Sequence, residues 1–138
     1  MLALDLAEQL RAAGLEWTPA LHDFFALPGT ALAGRVFVIT DIPANVAMIQ
    51  GQAAFTFEGA AEWAMDYVFA NEAVWMPTES QLRQAVEARA PNLPMRLHVS
   101  PVGYECALDI RADATLSFRA TSAEDAYAQA LIFLLQKS

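Results

Sequence analysis

A chain of 138 residues with 56% apolar content has material for one core, and at this length about 68% of the unfolded surface is expected to be buried. Its net charge of −8 repels phosphate backbones and anionic lipid, which argues against nucleic acid and membrane surfaces as partners. One cysteine and two histidines exclude an intramolecular disulfide and a zinc site built from Cys and His alone.

The opening "MLALDLAEQLR" has no basic stretch before its apolar residues and carries Asp5 and Glu8 early, so a signal peptide is not expected and a cytoplasmic protein is. Leu2, Leu6, Leu10 and Ala13 follow the helical period, with Gly14 as a stop. "LEWTPALHDFFALPG" is rich in aromatics, and its prolines break any long element. "GRVFVIT" reads as a strand buried on both faces, because its β-branched residues do not alternate with polar ones. "DIPANVAMIQGQ" reads as irregular or as one short helix, and "AAFTFEG" as a further strand.

From Glu58 to Asn71 a step of 100° per residue gathers Gly59, Glu62 and Asp66 on a narrow polar arc, so the spacing predicts a helix packed on several sides. "AVWMP" is a short strand ended by Pro77, which has no N–H to give a ladder. Thr78 and Gln81 have the spacing of a capping box, and Leu82, Ala85 and Val86 form the buried stripe of the helix that follows.

Met95 to Ser100, Tyr104 to Ile110 and "TLSFRA" each alternate apolar and polar residues between short turns. They predict a three-stranded antiparallel meander with one wet face. Thr121 and Glu124 repeat the capping-box spacing ahead of a C-terminal helix, whose stripe of Ala123, Ala126, Tyr127, Ala130, Phe133 and Leu134 suits the dry face. Ile132 among polar neighbours on the other side hints at an oligomer contact. The expected architecture is α+β: a single domain over 1–138 with a mainly antiparallel sheet of four to six strands, a C-terminal meander, and helices chiefly on one face.

Candidate chemistry is sparse. Glu58, Glu62 and Asp66 at four-residue spacing suit a divalent cation, but no histidine sits in register, and a solvated stripe explains them. His22 and Asp23 are neighbours without a nucleophile close by in sequence. Cys106 falls on the apolar side of its strand and His98 on the other, so the thiol reads as inert. Arg96, His98, Glu105, Asp109 and Arg119 share the wet face, where cross-strand pairing explains them without a ligand. Neither GxxxxGK[ST] nor GxGxxG occurs.

"LEWTPALHDFFALPG", "VFVITDI", "FEGAAEWAMDYV", "VWMPTESQLR" and "AYAQALI" together resemble, in order and spacing over nearly the whole chain, a group of small bacterial proteins without an assigned role. Some of these are labelled pilus assembly proteins of the CpaE type. CpaE-type proteins are similar to MinD-like ATPases, which are longer and carry a phosphate-binding loop. The resemblance therefore implies one compact domain and brings no catalytic residue, cofactor or metal ligand to this chain.

The leading expectation is a non-enzymatic interaction module that binds a protein partner or itself as a homodimer, with no cofactor. The alternative is a small-molecule binding protein or enzyme, its pocket beneath residues 15–29 and its lining drawn from Trp17, His22, Asp41 and Glu62. A partner with a basic surface is a third option that the acidic charge allows.

Overall fold

A computed structural model describes residues 1–30, 32–39, 45–49, 52–56, 67–69 and 72–137. In chain order the elements are α1 (Leu4–Ala12), β1 (Phe24–Ala26), β2 (Val36–Val38), β3 (Asn45–Ile49), β4 (Gln52–Thr56), β5 (Tyr67–Phe69), β6 (Val74–Trp75), α2 (Glu79–Arg89), β7 (Met95–Ser100), β8 (Gly103–Arg111), β9 (Ala114–Ala120) and α3 (Ala123–Lys137). The fold is α+β. Every strand pairing among the described residues is antiparallel. Among the described residues the strands form three sheets of three strands, ordered β2–β1–β6, β3–β4–β5 and β7–β8–β9, in place of the one sheet of four to six expected. Pairing with a neighbour in sequence builds two of these sheets as meanders.

Contacts divide the chain into two compact units, Met1–Glu16 with Pro77–Ser138, and Trp17–Met76. In the first, α1 ends at Gly14, whose φ of 102° is open to glycine at little cost. The Gly14 N–H donates to Arg11 O at 3.1 Å and the Leu15 N–H to Leu10 O at 3.0 Å, a Schellman closure. The capping box of α2 forms as the spacing predicts. Gln81 N donates to Thr78 Oγ1 at 3.3 Å, and Thr78 N donates to Gln81 Oε1 at 2.9 Å.

The cap of α3 falls one residue later than expected. Asp125 N donates to Ser122 Oγ at 3.1 Å, while Glu124 pairs with the amino group of Met1 at 2.7 Å. Asp125 is used as well, its Oδ1 accepting from Ala3 N at 2.9 Å. These two carboxylates bind the start of the chain to the first turn of α3.

The meander of β7, β8 and β9 is as expected. α3 packs on β8 and β9, and α1 and α2 pack on α3. Cys106, Leu108, Ala126, Ala130, Leu131, Leu82, Val86 and Leu10 are all but fully buried and form the core of this unit. Ile132 is half-buried. Gly103 closes the β7–β8 hairpin at φ 135°, and a Cβ there would come within 2.6 Å of Ala120 O, so backbone conformation and space both require glycine.

The second unit departs further from expectation. Tyr67–Phe69 form a strand paired with Gln52–Thr56, so the helix expected over 58–71 does not extend through them. Residues 58–66 lie outside the described residues. A helical wheel that is apolar on most sides carries little directional information, and "YVF" has equal claim to a strand. Asn45–Ile49 is also a strand, not an irregular or helical segment. Val36–Val38 is a strand but is not buried on both sides, since Val36 is 43% exposed. It lies at the edge of its sheet, and the apolar run marked a strand without marking its place in the order.

Candidate functional site

The segment "LEWTPALHDFFALPG" is a loop that runs into β1. Phe25 is fully buried at the centre of a cross-strand row, directly opposite Phe37 on one side and Trp75 on the other. The Phe25 and Phe37 rings lie 5.5 Å apart. Trp17 comes from the loop to cover this row, stacked on Trp75 at 6.2 Å and 5° and tilted against Phe25 at 6.1 Å. Such ring pairs add about 0.5–1.5 kcal/mol each beyond the area they bury.

One carboxylate holds the loop in this position. Asp23 is 6% exposed, and its Oδ2 accepts from Trp17 Nε1 at 2.9 Å and from Ala20 N at 3.1 Å. The backbone of Asp23 is tied as well, accepting from Ile39 N at 2.9 Å and donating to Ala20 O at 3.1 Å. In the sequence Asp23 reads only as a neighbour of His22, and this role is not foreseen. A short acid three residues after Ala20, in a loop bearing Pro19, was the available signal, since Asp side chains habitually bond nearby backbone N–H groups in turns.

Of the residues expected to line a pocket, Trp17 is half-buried and engaged as described. His22 is exposed, with a φ of 73° and its N–H donating to Ile39 O at 2.8 Å. Asp41 and Glu62 lie outside the described residues, as do Glu58 and Asp66. Trp75 adds one feature that the sequence did not mark: its indole N–H is buried and has no acceptor among the described residues.

The wet face of the meander carries the remaining polar cluster. Arg96 and Asp109 form a two-point ion pair across β7 and β8, in which Arg96 Nη2 donates to Asp109 Oδ1 at 3.1 Å. Thr115 Oγ1 donates to the same carboxylate oxygen at 2.8 Å. These hydrogen bonds, Arg96 first, hold the Asp109 carboxyl below its ordinary value. Arg119 Nε donates to Glu105 Oε2 at 2.7 Å and lowers that carboxyl in the same way.

Open grooves of about 480 and 540 Å³ lie at the two ends of this face, one against His98, Ser100, Glu105 and Arg119, the other against Arg96, Asp109, Arg111 and Thr115. Ala107 is 2% exposed although it faces this side, because it sits on the middle strand with Arg96 and Ser117 directly opposite. The face is thus a set of cross-strand pairs.

Cys106 is fully buried on the dry side, and loss of solvation pushes its thiol up to about 11. A thiol held so far from ionisation is a poor nucleophile at neutral pH. Among the described residues no group of His, Cys, Asp and Glu has the arrangement of a metal site, and no helix is long and apolar enough to cross a membrane. No protein-family model, curated protein or solved structure matches this chain.

Proposed function

We propose that this chain is a cytoplasmic, non-enzymatic interaction module that associates with a second copy of itself. The observation that carries this reading is the uncovered apolar end of the meander. Val99 is 68% exposed and Val102 is 92% exposed at the β7–β8 hairpin, beside the half-buried Met95 and Leu97. Single exposed apolar residues are ordinary, but Met95, Leu97 and Val99 share one face of β7 and Val102 follows in the turn, and apolar residues gathered in this way mark a contact surface.

The polar groups weigh in the same direction. The Arg96, Asp109, Glu105 and Arg119 side chains are engaged in cross-strand ion pairs. Trp17 spends its indole N–H on Asp23 and its ring on Phe25 and Trp75, which supports a structural role for residues 15–29 over a ligand pocket.

Light scattering and native mass spectrometry of the purified chain test the proposal. The expected outcome is a dimer whose population rises with concentration through the micromolar range. A strict monomer at high micromolar concentration sinks the self-association reading.

A further inference from the structure

We infer that the second copy binds along the open edge of β7, pairing β7 with β7 of its partner about a two-fold axis at Leu97. This rests on the self-association proposed above and names the surface and register that perform it.

The hydrogen-bond pattern of the β7–β8 ladder is the starting point. Asp109 N donates to Pro94 O at 3.0 Å, and the register runs from Met95 opposite Leu108 to Ser100 opposite Gly103. Hydrogen-bonded and non-bonded pairs alternate in an antiparallel ladder. Residues 94, 96, 98 and 100 therefore direct their backbone groups at β8. The N–H and C=O groups of Met95, Leu97 and Val99 point the other way, and among the described residues β7 pairs with β8 alone. The residues with outward backbone groups are thus the same three whose side chains form the apolar strip.

That coincidence selects the register. Side chains directly opposite in an antiparallel pair share a face, so apolar residues must meet apolar ones. With Leu97 opposite Leu97 of the second copy, Met95 meets Val99 of that copy at both ends. All three outward residues then sit in hydrogen-bonded pairs, giving about six new backbone hydrogen bonds. Two three-stranded meanders become one continuous sheet.

The other edge of the meander does not offer this match. By the same alternation, Thr115, Ser117 and Arg119 carry the outward backbone groups of β9, and their side chains are exposed and polar.

Electrostatics resist a second copy least at this edge. Two chains of net charge −8 repel wherever acidic surfaces meet, and β7, "MRLHVS", contains no acid. Its one permanent charge, Arg96, is already paired with Asp109 and in this register faces His98 of the other copy. Edge strands are commonly protected by an internal proline, a bulge or an inward charge. β7 has no proline, and the irregularity in this sheet falls between Asp109 and Arg111 on the β9 side.

Disulfide trapping tests the register. Met95→Cys and Val99→Cys proteins are prepared separately and mixed under mild oxidation. Opposed residues in a hydrogen-bonded pair stand about 5.5 Å apart at Cα, within disulfide range. The buried Cys106 stays out of the reaction. The expected result is a covalent dimer in the mixture at several-fold the yield of either variant alone. Val99→Lys, at an exposed position, is expected to weaken dimerisation tenfold or more with an unchanged circular dichroism spectrum. A wild-type dimer that neither cross-links preferentially in the mixture nor responds to Val99→Lys overturns the β7 assignment and leaves self-association standing. A wild-type monomer overturns both.

Discussion

Asp109 accepts hydrogen bonds from Arg96 and Thr115, and both favour its ionised form. Because its folded value is depressed, its contribution to stability is complete above the ordinary value of 3.8 and is lost as pH falls through the lower folded value. A carbon-detected NMR titration should place the Asp109 midpoint below 3.8, and Arg96→Ala should move it upward. A wild-type midpoint at or above the ordinary value would show that the ion pair does not persist in solution. Strand alternation placed these residues on a common wet face, and the structure adds which cation meets which acid. Asp23 is the opposite case. Its partner Trp17 is only six positions away, but nothing in the residue types says that a loop tryptophan will fold back onto it.

At the scale of elements, local chemistry decides most at the boundaries. Thr78 and Gln81 satisfy each other's backbone N–H groups at the start of α2, and no distant residue is needed for that. Thr78→Ala should cost about 1 kcal/mol, within a range of roughly 0.5–2, read as a shift in the urea midpoint with an unchanged slope. A midpoint that does not move would mean that the cap is idle. Elements differ from expectation where the apolar pattern had no clear period. Tyr67–Phe69 lies in a stretch apolar on nearly every side, and pairing with Gln52–Thr56 made it a strand. Ser122 caps α3 in place of Thr121, and Glu124, expected as the return partner of the box, meets the amino group of Met1 instead.

For the whole molecule, charge and apolar surface oppose one another. A net charge of −8 resists association of identical copies, while the apolar run at the end of the meander promotes it. Added salt shortens the screening length from about 10 Å at 0.1 M to about 3 Å at 1 M. Self-association through β7 should therefore strengthen as sodium chloride rises over that range, as followed by sedimentation equilibrium. A dimer that dissociates in high salt would point to an interface held by ion pairs, which is how a basic partner surface would behave and an apolar strand edge would not.

The sequence by itself determined the α+β composition, the C-terminal meander with its wet and dry faces, the capping box of α2 and the burial of Cys106. Each depends on a period of two or on a spacing of three residues, and such patterns are set by backbone geometry within one element. Only the tertiary structure decided that the described strands divide among three sheets, that Val36 stands at an edge, and that Asp23 holds Trp17 over the Phe25 row. It also decided that α3 packs chiefly on β8 and β9 while Val99 of β7 stays exposed. These outcomes depend on which apolar faces compete for the same cover, a choice made between elements and therefore carried by no single stretch of residues.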